Sequence, residues 1–274
     1  MKKKFNNHLQ LKSTRHFILA LTATLLVACG GGDKKGALSF TVEGTLANAT
    51  NKMLYLEEVT PDNGSQFVDS IPCDADGHFK FKAIMDYQTF FNLHGSLYDY
   101  IVLLPNDGEK ISIKGDANDL GNSYLVDGSP ESRLMWQIQN YINDANKTIA
   151  DIAQRDRFNR DNLSEAEYEK AHHTTDSIFI AEHKTSYMMF YNFIEDNRGS
   201  LSTLYAVDAP FNHTGRVFYS EPDFEVFEEV LDGLMEKNPD NPHTQYYKTR
   251  VERARSARMI SQQQQQAGQE FIVE

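Results

Sequence analysis

Cysteine is nearly missing from this 274-residue chain: Cys29 and Cys73 stand far apart, and neither lies in a Cys-x-x-Cys. Two such sulfurs cannot build a zinc site or a disulfide framework, and thiol–disulfide catalysis needs an attacking and a resolving thiol. Positive charge is also scarce, with 27 Lys+Arg against 39 Asp+Glu for a net −12. All five basic residues before Cys29 (Lys2, Lys3, Lys4, Lys12, Arg15) stand without an acid, and removing that segment leaves −17. So acidic a protein is repelled by phosphate backbones and anionic headgroups, so no nucleic-acid partner is expected. Gly-x-Ser-x-Gly, Walker and Rossmann motifs are absent, so no cofactor and no enzymatic reaction are expected. An aromatic content of 11% and a hydrophobic content of 40% do suffice for a packed core. At roughly 150 residues per domain, the length allows one or two domains.

A long apolar run is lacking too. Phe17–Ala28 is apolar behind a basic segment, but twelve helical residues rise only about 18 Å against a hydrocarbon core of ~30 Å. The segment therefore reads as a signal peptide over residues 1–28. Its junction Leu26-Val27-Ala28-Cys29 resembles the bacterial lipobox, in which the cysteine is acylated and becomes the new N-terminus. Acyl chains at about 0.8 kcal/mol per buried CH₂ anchor stably when two or three act together. Residues 29–36, with Gly30-Gly31-Gly32, read as the lipidated tether. By resemblance to lipoprotein sorting, Gly30 beside the cysteine points to the outer membrane, and the lack of an acidic run points to its periplasmic face.

What is present has two periods. From Ala37 to about residue 127, apolar and polar residues alternate: Leu38, Phe40 and Val42; Phe79 and Phe81; Ile111 and Ile113. Turn signals at Asp62-Asn63-Gly64, Asp76-Gly77, Asn106-Asp107-Gly108 and Gly121-Asn122 separate about eight strands, the pattern of an antiparallel β-sandwich or barrel. After Gly128 the period becomes helical. Ser129-Pro130-Glu131 opens a helix expected to reach about Arg157, with Leu134, Ile138, Tyr141, Ala145, Ile149 and Ile152 on one stripe. Ser164 and Glu167 have capping-box spacing for a second helix toward Asp196, and the short link implies a helical hairpin. Further helices are expected over 200–207, 222–236 and 242–260. The fold class is thus α+β, a sandwich over 37–127 followed by an all-α region over 128–261. The glutamine-rich residues 262–274 are expected to form a low-complexity tail.

Three segments resemble a bacterial lipoprotein family. Phe40-Thr41-Val42-Glu43-Gly44-Thr45-Leu46, Val68-Asp69-Ser70-Ile71 with Asp76-Gly77-His78-Phe79-Lys80-Phe81, and Tyr124-Leu125-Val126-Asp127-Gly128-Ser129 look like the N-terminal domain of unknown function that precedes thioredoxin-like or AhpC/TSA domains in Bacteroides-type lipoproteins. Phe193-Ile194-Glu195-Asp196-Asn197 through Tyr205, and Asn238-Pro239, are similar to the connector of those proteins. Ala267-Gly268-Gln269-Glu270-Phe271 looks like the lead-in to the redox domain, but no Trp-Cys-x-x-Cys follows by Glu274, so the family's catalytic residues have no positions here. The resemblance implies a non-catalytic binding or scaffold module associated with an envelope thioredoxin-like partner. Its alternative is the substrate-docking half of a disulfide reductase whose catalytic domain is separately encoded.

The remaining candidates have plain structural readings beside the chemical ones. Cys73, flanked by Asp74 and Asp76, is disfavoured as a thiolate and reads as a strand-end core cysteine. Asp74-Ala75-Asp76-Gly77 lacks the outer EF-hand ligands, since Pro72 and Ala83 occupy those positions; a type I′-like turn explains it. Glu169-Lys170-Ala171-His172, with His183 three turns on, has di-iron spacing without a second copy, so helix-surface pairs such as His172–Asp176 are expected and no metal. Asp69-Ser70-Ile71 and Asp176-Ser177-Ile178 resemble the O-glycosylation site of Bacteroides-type periplasmic proteins, making Ser70 and Ser177 candidate acceptors. Lys248, Arg250, Arg253, Arg255 and Arg258 form one basic stretch, expected to pair with the protein's own acids. Tyr87, Tyr98 and Tyr100 beside strands suggest a glycan-binding reading that a core could equally claim.

Overall fold

A computed structural model describes residues 37–211 and 215–270; residues 1–36, on which the expected signal peptide, Cys29 and tether fall, and residues 271–274 lie outside the described residues. Alternation produces eight strands, β1 (Leu38–Ala47), β2 (Met53–Val59), β3 (Ser65–Pro72), β4 (His78–Met85), β5 (Phe90–Ser96), β6 (Asp99–Leu103), β7 (Lys110–Asp116) and β8 (Leu125–Asp127). They form two four-stranded sheets, β4-β1-β7-β8 and β3-β2-β5-β6. One strand pair departs from the antiparallel expectation: β1 and β7 run parallel, with Val42 opposite Ile111 and Gly44 opposite Ile113. Alternation reports which face a residue takes, not strand direction, so it could not reveal this. Gly44 makes the approach feasible, since a Cβ there would fall 2.0 Å from the Ile113 carbonyl oxygen.

The turn at Asp76-Gly77 also differs from the type I′ expectation. Only Gly77 takes a positive φ (79°), and the Gly77 amide donates to the Asp74 carbonyl while the Asp74 amide donates to that of His78. This is the three-residue turn with glycine in the left-handed position. It carries the chain from β3 in one sheet to β4 in the other.

Two cores follow from the strand faces. Phe40, Val42, Phe81, Phe91, Leu93, Ile101 and Ile111 fill the space between the sheets. The second sheet is apolar on its outer face too: Val59, Phe90, Val102 and Leu104 join a separate core with the helices. A buried phenylalanine such as Phe90 is worth roughly 1.5–3 kcal/mol over exposure, which fastens the helical region to the sandwich. Gly36–Glu274 is accordingly one compact unit.

The helices are α1 (Leu120–Ser123), α2 (Pro130–Asn162), α3 (Glu165–Asp196), α4 (Ser202–Val207), α5 (Phe224–Lys237) and α6 (Pro242–Glu270). Ser129 Oγ caps α2 by accepting from the Ser132 amide at 3.2 Å, and Ser164 N donates to the Glu167 carboxylate at 3.2 Å before α3. The hairpin of α2 and α3 forms as expected, but α2 ends at Asn162, five residues past Arg157. Burial along it is concentrated in one half: Ser132, Met135, Ile138 and Ala145 on α2, and Ser186, Phe190, Phe193 and Ile194 on α3, with Thr175 buried beyond them. The helix expected to close near Ile260 continues through the glutamines to Glu270, because glutamine is a good helix former and no proline interrupts. Among the described residues, no helix is long and apolar enough to cross a membrane.

Candidate functional site

The outer face of the second sheet is apolar at one end and polar at the other. Along β5, Phe91 and Leu93 point between the sheets, so Phe90, Asn92 and His94 take the outer face. Cross-strand pairing places Glu57 and Val102 beside Asn92, and Tyr55 and Tyr100 beside His94. The helical region covers the Phe90 end. A cleft of about 510 Å³ opens between the two, lined from the sheet by Phe90, Asn92 and Tyr100 and from the helices by Gln139, Tyr205, Tyr246 and Arg250.

Several cleft groups are fully engaged by the protein. His243, at the start of α6, lies with Nε2 2.8 Å from Thr89 Oγ1, and that hydroxyl donates to the Val59 carbonyl at 3.1 Å. The single hydroxyl proton is then occupied, so His243 Nε2 is the donor to Thr89. Burial pushes the His243 pKa down to about 4. The neutral ring meets Phe90 edge-on at 5.1 Å and acts as a strap between α6 and the sandwich. Thr89 is fully buried, so this hydroxyl–imidazole pair is closed to substrate. Asp208, after α4, accepts from both Nη atoms of Arg250 (2.5 and 2.6 Å) and from Arg216 Nη1 (2.9 Å). The Arg250 guanidinium also lies over the rings of Tyr247 and Phe227.

On the same sheet face other groups are left over, of which Asn92 lines the cleft and His94 lies beyond it on β5. Asn92 Oδ1 and both ring nitrogens of His94 are buried with no hydrogen-bond partner. Glu57 Oε2 lies 3.6 Å from His94 Nε2, beyond hydrogen-bond length. The Tyr55 ring stacks on His94 with centroids 5.4 Å apart.

Few residues singled out from sequence meet at this cleft. Cys29 lies outside the described residues. Cys73 is 1% exposed, and burial, then Asp74, raises its thiol pKa, consistent with a core cysteine. Asp74, Asp76 and His78 gather ligand atoms within 4.8 Å of one another at the exposed turn, where Asp74 already accepts from the amides of Asp76 and His78. His172 bonds across the hairpin to Asp156 (2.8 Å), which also holds Arg160, and lies 3.8 Å from Asp176. His183 instead meets the Phe211 ring at 4.6 Å. Ser70 is half-buried on β3, and Ser177 is exposed on α3 with Oγ donating to the His173 carbonyl. The basic stretch pairs internally: Arg250 with Asp208, Arg255 with Glu228, Lys248 with Glu252, and Arg258 over Phe224. Of the three tyrosines, Tyr100 lines the cleft, Tyr98 sits 96% exposed at the β5–β6 turn, and Tyr87 packs edge-on to His243.

Sequence reasoning missed Asn92, His94, His243, Tyr246 and the Asp208–Arg250 pair. A signal existed for the first two, since Phe90-Phe91-Asn92-Leu93-His94 sets two polar residues at alternate positions of an otherwise apolar strand.

A β-sandwich whose second sheet is roofed by helices, with a cleft at the polar end of that sheet, defines an α+β protein. Residues 40–135, from β1 into the first turns of α2, match the domain of unknown function DUF4369, so the chain carries that domain in its N-terminal half. An NMR structure of a protein from Eubacterium rectale is similar at 16% identity, covering 37% of this chain and 95% of that one with a TM-score of 0.22. No curated protein matches the chain.

Proposed function

We propose that this protein is a non-catalytic binding module of the bacterial envelope, held at the periplasmic face of the outer membrane by acyl chains on Cys29. The cleft carries the reading: it combines an apolar floor with a polar amide, Asn92, whose oxygen no protein group engages, the usual make-up of a ligand site. Its imidazole is sealed against Thr89, and its guanidinium is neutralised by Asp208, which favours holding over reacting. The lipobox-like junction supports the anchor, and the thioredoxin-like partner rests on the sequence resemblance alone.

Two measurements test this. Cys29→Ala is expected to move the protein from the membrane fraction to the soluble periplasm, and a variant that still pellets after a salt wash defeats the anchor. For the cleft, detergent-solubilised protein is melted in the presence of fractionated envelope extract. At least one fraction should raise the melting temperature of the wild type but not of Tyr246→Ala, while its composition by mass spectrometry stays unchanged. Consumption of the stabilising component would show an enzyme instead.

A further inference from the structure

We propose that the cleft takes a short, uncharged saccharide, its hydroxyl groups bonded to Asn92 and its ring held between Tyr100 and Tyr246. This deepens the binding-module reading and rests on it.

The first argument is the kind of hydrogen bonding left open. Asn92, on the sheet wall of the cleft, has a buried Oδ1 that is an acceptor without a donor. A primary amide presents an acceptor oxygen beside an N–H₂ donor, so a ligand matching Asn92 offers both a donor and an acceptor at short spacing. A hydroxyl supplies both from a single atom, and vicinal hydroxyls repeat the pair. Buried polar groups of this kind cost free energy until they are matched.

The second argument is the pair of ring faces. Tyr100 enters from the sheet and Tyr246 from α6, and each is nearly half exposed (45% and 46%). Tyrosine offers an apolar face with a polar tip, which matches a sugar ring's apolar C–H face and hydroxyl rim. The volume of about 510 Å³ falls within the ordinary range for small-molecule sites.

Charge supplies the third argument. The charged side chains lining the cleft are Asp208 and Arg250, joined through two hydrogen bonds, and His243 is held neutral by burial. Around them the protein is strongly acidic, which repels anionic ligands such as uronates and phosphates. The ligand selected is therefore polar and uncharged.

The test uses the full lipidated protein in a detergent without a sugar headgroup, titrated calorimetrically with linear neutral oligosaccharides of glucose, mannose, galactose and xylose. Uronate oligosaccharides and short peptides serve as the comparison ligands. At least one neutral saccharide is expected to saturate the protein. Tyr246→Ala, on the helix surface, and Asn92→Ala should each weaken that binding tenfold or more, while Tyr98→Ala, outside the cleft, should leave it within twofold. Circular dichroism melts establish that the variants fold, and if Asn92→Ala does not, Tyr246→Ala alone decides. The saccharide assignment is overturned if no neutral oligosaccharide binds, or if binding survives Tyr246→Ala. Peptide or uronate binding lost in Tyr246→Ala would overturn the saccharide while leaving the binding module standing. Absence of binding by every class, with no stabilising envelope fraction, would overturn both.

Discussion

Two histidines on neighbouring layers illustrate how opposite environments give opposite pH behaviour. His243 is buried, and its folded pKa of about 4 lies below the ordinary 6.5. Folding therefore favours the neutral ring, and the stability this confers is complete above about pH 6.5 and is lost as pH falls toward 4. That gap is worth about 3 kcal/mol. His172 is raised instead by its hydrogen bond to Asp156, so its contribution is present when the ring is charged and is lost as pH rises through its folded pKa. His243→Gln, which keeps an amide able to donate to Thr89, should remove the first effect. Denaturant titrations at pH 7 and pH 4 are expected to show the wild type losing about 3 kcal/mol more than the variant. Equal losses would mean that His243 charges without penalty and does not strap α6 to the sandwich. No feature of the local sequence around Pro242-His243 marks this role, because Thr89 is more than 150 residues away.

Among the elements, β1 decides most. It is paired on both sides, antiparallel to β4 and parallel to β7, and Gly44 sits where the parallel neighbour comes closest. Gly44→Ala must push a Cβ toward the Ile113 carbonyl oxygen, a backbone atom that cannot swing aside. A loss of about 3 kcal/mol or more is expected, in line with other backbone clashes in cores. Gly108 also has a positive φ (75°), yet a Cβ there meets nothing within 4 Å. Gly108→Ala should cost only about 1 kcal/mol, the penalty of the left-handed conformation itself. Chemical denaturation of the two variants checks the ranking, and equal effects would contradict the close approach of β1 and β7. Strand and helix positions were largely legible in the sequence because alternation, Asp-Gly turns, Ser129-Pro130 and the Ser164/Glu167 box are local signals. The parallel pairing was not, since it joins residues nearly 70 apart and leaves the alternation unchanged.

Over the whole molecule, one chain segment joins the sandwich to the helices without a linker. Gly128 has φ 81°, and a Cβ there would lie 2.1 Å from the Lys110 carbonyl oxygen, so the junction is packed against β7. Toward the other end, α6 is anchored by buried Tyr247 and Val251, whereas Met259 and Ile260 are more than half exposed. Limited proteolysis should therefore remove residues beyond about Ile260 first and leave an undivided core containing sheets and helices. Early cleavage near Gly128 with α6 intact would show two separable regions instead. The sequence alone determined the acidic charge, the eight strands and the helical hairpin, because each rests on composition or on spacing within one element. Tertiary structure alone decided the cleft. Asn92, Tyr100, Tyr246 and the Asp208–Arg250 pair come from a sheet face and from helices far along the chain, and they meet only because the outer face of the second sheet is apolar enough at one end to hold those helices and polar at the other.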